Sequence, residues 1–227
     1  MHAADDYYHL VRYDVVEYVP NYIRRLLDVG CGAGCTADYL KRVRGIETVI
    51  GIEYVPHAAA EAAQRLDCVH TGDIEQIELP YPDGYFDCIL CADVLEHLRD
   101  PWNVLRRLRR LLTPDGVLIA SIPNIRHVRV LAKIVFNRFE YEDSGILDQT
   151  HLRFFTRHTI EQLFTTTGYD VRFVGANRSR SWKFTLLNAV TFGLARPFSI
   201  VQYIVKARPE REVAQSTYTQ TNHESCI

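Results

Sequence analysis

The sequence predicts an α/β fold, a three-layer sandwich with a mostly parallel sheet between helices. Three observations carry that expectation. Short β-branched apolar runs alternate with helical stretches along most of the chain. Turn residues punctuate the alternation, with Gly30 closing the first run, Gly45 closing a helix and Pro114-Asp115-Gly116 preceding a later strand. A glycine-rich loop leads from the first strand into a helix. Such alternation is best accommodated by a sheet covered on both faces, with right-handed crossovers between its strands.

Taken in order, residues 7–19 read as an N-terminal helix ended by Pro20, and 26–29 as a buried strand. Residues 36–44 form a helix closed by Gly45, and 48–52 a second strand ending at Glu53. An Ala-rich helix over 57–65 leads to a third strand over 68–70, and 86–92 is a fourth. The helix over 101–112 keeps Leu105, Leu108, Leu111 and Leu112 along one face, and 117–122 is a fifth strand. A less regular segment follows over 123–153, then a helix over 156–167 and two last strands over 169–175 and 199–207. A single domain over 1–207 follows, with a polar, flexible tail over 208–227.

Composition excludes several classes of function. With 227 residues, 47% hydrophobic and 24% charged, the chain can bury a substantial core. A net charge of −2 supplies no field that would draw it to nucleic acid. The arginines at 106, 107, 109 and 110 read as a solvated helix face. Cys88 and Cys91 fall on opposite faces of a strand, and no second Cys/His pair stands at zinc-ligand spacing, so no metal is expected. The N-terminus lacks an apolar signal core, and the apolar stretch at 184–198 is too interrupted to span a bilayer. A cytoplasmic protein with reduced thiols and no stable membrane insertion is the expectation.

The strongest motif is Leu27-Asp28-Val29-Gly30-Cys31-Gly32-Ala33-Gly34. Glycines at a strand-to-helix turn allow positive φ and let a ligand lie against the backbone. The spacing is GxGxG, and Cys35 stands where a dinucleotide fingerprint has its third glycine. Asp28 would repel a pyrophosphate, but it suits a ligand carrying an ammonium or sulfonium. Glu53, about 20 residues on, is placed for ribose hydroxyls. Tyr54 beside it is a candidate to pack on adenine or ribose. Asp73 is placed to accept from an adenine amine, with Ile74 offering an apolar surface and a turn cap as the alternative for Asp73. His97, at the end of Phe86-Asp87-Cys88-Ile89-Leu90-Cys91-Ala92-Asp93-Val94-Leu95-Glu96-His97, should border the same cleft with a pKa range suited to proton transfer.

LLDVGCGAG, Glu53, Gly72-Asp73 and the FDCILCADVLEH run together resemble class I S-adenosylmethionine-dependent methyltransferases over about residues 20–175. The resemblance implies a Rossmann-like sheet of seven strands, the last antiparallel, and S-adenosyl-L-methionine as cofactor with S-adenosyl-L-homocysteine as product. It implies that Asp28, Gly30, Cys31 and Gly32 line the methionine portion and that Asp93 lies near it. Glu53 would hold the ribose, and Asp73 with Ile74 the adenine. The segment from Ile122-Pro123-Asn124 to Phe155-Thr156 resembles a bacterial subset associated with surface-polysaccharide biosynthesis and sugar modification. That second resemblance makes 123–153 a substrate lid with Asp148 and His151 facing the acceptor; capping of the next helix is the alternative for His151.

The expected reaction is O-methylation of a sugar or glycan-like acceptor, with His97 or His151 as general base and Asp148 orienting it. A phenol, quinone or natural-product acceptor is the alternative substrate class. An NAD-dependent oxidoreductase and a non-catalytic Rossmann-like partner subunit are rivals of other classes. Residues 176–198 read as a helical insertion or a homodimer contact, with an interfacial membrane element less favoured.

Overall fold

The computed structural model describes residues 8–178 and 188–210. Seven strands form one sheet: β1 (Arg25–Val29), β2 (Thr48–Glu53), β3 (Cys68–Thr71), β4 (Phe86–Ala92), β5 (Leu112–Pro123), β6 (Tyr169–Arg178) and β7 (Ile200–Pro209). Their order is β3-β2-β1-β4-β5-β7-β6. β1 to β5 pair in parallel, while β7 runs antiparallel to both β5 and β6. The Rossmann-like sheet with its last strand reversed is therefore present as expected.

Helices α1 (Tyr13–Val16), α2 (Cys35–Arg44), α3 (Pro56–Ala62), α4 (Pro101–Leu111), α5 (Val128–Val135) and α6 (Arg157–Thr165) connect the strands. Their boundaries have local causes. Gly34 at φ 81° and Gly45 at φ 65° bracket α2, whose last turn carries Lys41, Arg42 and Arg44 against the dipole. Asp100 caps α4 through the Asn103 amide, and Pro101 occupies its first turn. Thr156 and Thr159 form a capping box on α6.

Strand alternation divides the core in two. Leu27, Val29, Ile89 and Cys91 belong to one apolar cluster, while Leu26, Cys88 and Leu90 belong to the other. Cys88 and Cys91 thus point to opposite faces, as their spacing requires, and all five described cysteines are free.

Three elements differ from expectation. The helix expected over 7–19 is a single turn, Tyr13–Val16, and Tyr7 lies outside the described residues. The chain ahead of it bonds across to the glycine loop instead. The Tyr8 carbonyl accepts from the Ala33 amide at 3.1 Å, and the Arg12 amide donates to Thr36 Oγ1 at 3.1 Å. The turn at 114–116 is an irregularity within β5, where pairing jumps from Phe86–Leu112 to Cys88–Val117. The arginines of α4 are not merely solvated: Arg107 donates to the carbonyls of Ile74, Glu75 and Ile77, and Arg110 pairs with Asp83. They staple the β3–β4 connection to the helix.

Of the expected insertion over 176–198, residues 179–187 lie outside the described residues, as does the tail from 211. Within the described part, Val190, Phe192 and Leu194 are exposed. Among the described residues no helix is long and apolar enough to cross a membrane.

Candidate active site

Strand order reverses between β1 and β4, and open α/β sheets receive ligands beyond the carboxyl ends of their strands at such a point. Gly30, with φ 70°, leaves β1 there. A Cβ on Gly30 would lie 2.7 Å from Val94 Cγ2, and one on Gly32 would lie 3.0 Å from the Tyr8 carbonyl oxygen. The loop is thus held between the tail of β4 and the N-terminal segment, with no room for side chains.

Glu53 is buried at the end of β2 and accepts from the Gly32 and Val55 amides at 2.8 Å each. Each oxygen retains a lone pair for a ligand hydroxyl. Asp28 is 4% exposed, and among the described residues its carboxylate takes no hydrogen bond. Burial, with Glu53 nearby, pushes its carboxyl up to about 7. Cys31 turns its side chain against Gly51 of β2, where burial raises the thiol, so only its backbone faces the loop.

This set fits S-adenosylmethionine: a glycine cradle that excludes Cβ atoms, a diol acceptor in Glu53, and a carboxylate without a partner for a cationic group. Asp28, Gly30, Gly32 and Glu53 converge as the sequence expects. Tyr54 is 72% exposed. Asp73 caps its own turn, accepting from the Glu75 amide at 2.9 Å and Gln76 Nε2 at 3.1 Å. Ile74 is drawn into the apolar core.

Asp93 follows β4 with φ 57°, a left-handed conformation uncommon outside glycine. Its carboxylate accepts from Ser121 Oγ and Gln202 Nε2 at 2.7 Å each, and it forms a short ion pair with Arg12. Arg12 also pairs with Asp14 at 2.9 Å. Sequence separations of 28 to 109 residues in this network left no local signal.

Beyond Asp93 a 3₁₀ turn, Leu95–His97, begins the other end of the cleft. The His97 amide bonds to the Val94 carbonyl at 3.0 Å, so the turn that carries His97 starts from the residue packed against Gly30. The end of the 123–153 segment is fastened here, because the Leu152 and Arg153 amides both donate to the Glu96 carbonyl at 2.9 Å. His97 and His151 meet edge to face, with ring centroids 4.7 Å apart. Burial, then His151, holds the His97 imidazole below its ordinary pKa.

Asp148 reaches His97 through a relay. Thr150 Oγ1 donates to Asp148 Oδ1 at 2.6 Å and lies 3.0 Å from His97 Nδ1. Burial raises the Asp148 carboxyl, but the hydrogen bonds from the Thr150 side chain and amide outweigh it and leave the group below its ordinary value. The structure thus brings His97, His151 and Asp148 together. Thr150 and Glu96 are the participants that sequence reasoning missed. The expectation of no metal also meets a contrary observation: donor atoms of Glu96, His97 and His151 lie within 4.8 Å of one another.

Comparison with known proteins agrees with this geometry. A family model described as a methyltransferase domain matches residues 9–173. The chain belongs to that family, and its fold and glycine loop place it among the class I S-adenosylmethionine-dependent methyltransferases. It is 35% identical over 101 residues to a probable S-adenosylmethionine-dependent methyltransferase of Mycobacterium tuberculosis, covering 44% of this chain and 36% of that protein. It is 33% identical over 111 residues to a ubiquinone biosynthesis O-methyltransferase of Neisseria meningitidis, covering 44% of each. The chain thus spans less than half the length of these curated relatives.

A solved S-adenosylmethionine-dependent methyltransferase of Archaeoglobus fulgidus has a TM-score of 0.61 at 20% identity, covering 83% of this chain and 87% of that one. The [4+2]-cyclase SpnF has a TM-score of 0.60 at 22% identity, covering 92% and 82%. These two likenesses show the fold.

Proposed function

We propose that this chain transfers the methyl group of S-adenosylmethionine to a hydroxyl of a sugar or glycan-like acceptor. The observation that carries the reading is the adjacency of two unlike ends of one cleft. The glycine cradle with Asp28 and Glu53 is held against Val94, and the turn that begins at Val94 carries the half-buried His97 to the buried His151. Family membership supports the cofactor. The likeness to a [4+2]-cyclase shows that this fold alone does not fix methyl transfer, so the acceptor end has to carry that part of the reading.

When bound, the cofactor supplies a sulfonium-activated methyl group: the acceptor oxygen forms the C–O bond, the C–S bond breaks with its electron pair going to sulfur, and the hydroxyl proton leaves. The chain's own residues position the partners and handle that proton. Glu53 offers lone pairs to a vicinal diol, and Asp28 faces the positive charge. His97 and His151 provide the basic edge at the acceptor. Asp148, through Thr150, favours the His97 tautomer with hydrogen on Nδ1 and a free lone pair on Nε2. The aromatic rings of Phe139, Tyr141 and Phe154, packed edge to face near His151, offer apolar faces to a sugar or a ring.

The sugar reading rests on the resemblance of residues 122–156. A phenolic acceptor is the second reading, supported by the ubiquinone O-methyltransferase relatives. Incubation with labelled S-adenosylmethionine and a panel of nucleotide sugars, glycans and phenols separates them. Label on sugars is the expected result; label on phenols alone selects the second reading, and label on RNA or protein alone removes both. Calorimetry with S-adenosylhomocysteine and NADH checks the cofactor: binding of NADH alone overturns the assignment.

A further inference from the structure

We propose that Glu96, His97 and His151 form a site for a divalent cation of the Mn²⁺, Co²⁺ or Zn²⁺ type at the acceptor end of the cleft. The inference rests on reading that edge as the place where the acceptor hydroxyl sits. Its first support is the donor set: two imidazoles and one carboxylate, with ligand atoms within 4.8 Å of one another, from two segments 54 residues apart in sequence (97 to 151). Two imidazoles beside a carboxylate favour such cations over Mg²⁺ or Ca²⁺, which prefer oxygen ligands.

The second support is the direction of the ring protons. His151 Nδ1 lies 3.1 Å from the Ile146 carbonyl oxygen. His97 Nδ1 lies 3.3 Å from the Thr150 carbonyl oxygen and 3.0 Å from Thr150 Oγ1, whose own proton goes to Asp148. A carbonyl only accepts, so both rings carry hydrogen on Nδ1 and present a bare lone pair at Nε2. Fixing a ligating histidine through its other nitrogen is the usual outer support of a metal site.

The third support is Glu96 itself. The residue is 1% exposed, and among the described residues neither its Oε1 nor its Oε2 has a hydrogen-bond partner. With their protons on Nδ1, neither neutral ring donates to it through Nε2. Two ring lone pairs and a carboxylate therefore converge, and a carboxylate left charged there without a described partner is costly. A cation satisfies all three at once and leaves coordination positions open. With a cation bound, both imidazoles would act as ligands in place of a general base. An acceptor hydroxyl at an open position would be more acidic and would give its proton to solvent water.

The test begins with the full chain stripped by chelator and then dialysed free of it. Calorimetric titration with Mn²⁺, Co²⁺ and Zn²⁺, and the visible absorption of bound Co²⁺, should show one site per chain. Glu96→Gln and His151→Gln should each weaken it at least 100-fold. Thr150→Val, which alters only the support of His97, should weaken it about 10–100-fold. No stoichiometric binding by the wild-type chain overturns the proposal, as does binding undiminished in folded Glu96→Gln and His151→Gln. S-adenosylhomocysteine affinity is measured on the same stripped protein. Its loss counts against the methyltransferase reading, whereas retained affinity without cation binding defeats the cation site alone.

Discussion

The two ends of the cleft are built on different principles. At the cofactor end, Glu53 accepts from backbone amides of the loop it faces, and the donors come from strand tips fixed by the parallel sheet. At the acceptor end, His97 and His151 come from opposite sides of a long connection, and the buried Glu96 carboxylate lacks partners. At the first end both Glu53 oxygens are bonded, and the Asp28 carboxylate has no described partner. The second end brings distant segments together around a buried carboxylate with no described partner, which is where a fold leaves room for chemistry.

Breaking the cofactor end should have the largest effect. Gly30→Val introduces a side chain at positive φ, with its Cβ 2.7 Å from Val94 Cγ2. S-adenosylhomocysteine binding by calorimetry should fall below detection, and stability should drop by about 1–3 kcal/mol in urea unfolding. Breaking the acceptor end should leave binding intact and lower turnover. His97→Gln and His151→Gln should each reduce the single-turnover rate about 100-fold or more with S-adenosylhomocysteine affinity unchanged. If both variants turn over like wild type, the imidazole edge has no part in the reaction. Thr150→Val should have a smaller effect, about tenfold on turnover, because it removes only the link from Asp148 to the ring.

Asp28 sharpens the comparison through pH. Its folded carboxyl titrates near 7, against an ordinary value of 3.8, because of burial and then Glu53. Between those values the folded chain keeps a proton that the unfolded chain releases. Stability should therefore fall as pH rises from about 4 to about 7, by up to about 1.4 kcal/mol per pH unit, and level off above. Asp28→Asn should flatten that slope in urea midpoints measured at pH 5 and pH 7. It should also weaken S-adenosylmethionine, whose cationic groups need the ionised carboxylate. Wild-type affinity for the cofactor should rise with pH until about 7, and a flat profile would show that Asp28 does not face the charge.

Much of this was legible in the sequence, and the legible part is local. Strand runs, the glycine loop and Glu53 are encoded within short windows, and the sheet turns those windows into neighbours. Asp73 shows the limit of such reading: an acid after a strand suits a ligand amine or a turn equally, and the structure has it capping its own turn. The N-terminal helix failed because Thr36 and Ala33 supply hydrogen-bond partners that local propensity does not register. Arg12 and Thr150 act over separations of 81 and 53 residues, where no spacing rule operates. Glu96 stood inside a quoted motif, yet its meeting with the distant His151 has no local signal.

The end of the 123–153 segment is moored at a single atom. The Leu152 and Arg153 amides both donate to the Glu96 carbonyl, whose neighbour His97 meets His151 edge to face. The backbone mooring and the imidazole pair therefore share one point of the chain, and a shift at Glu96 is felt by both.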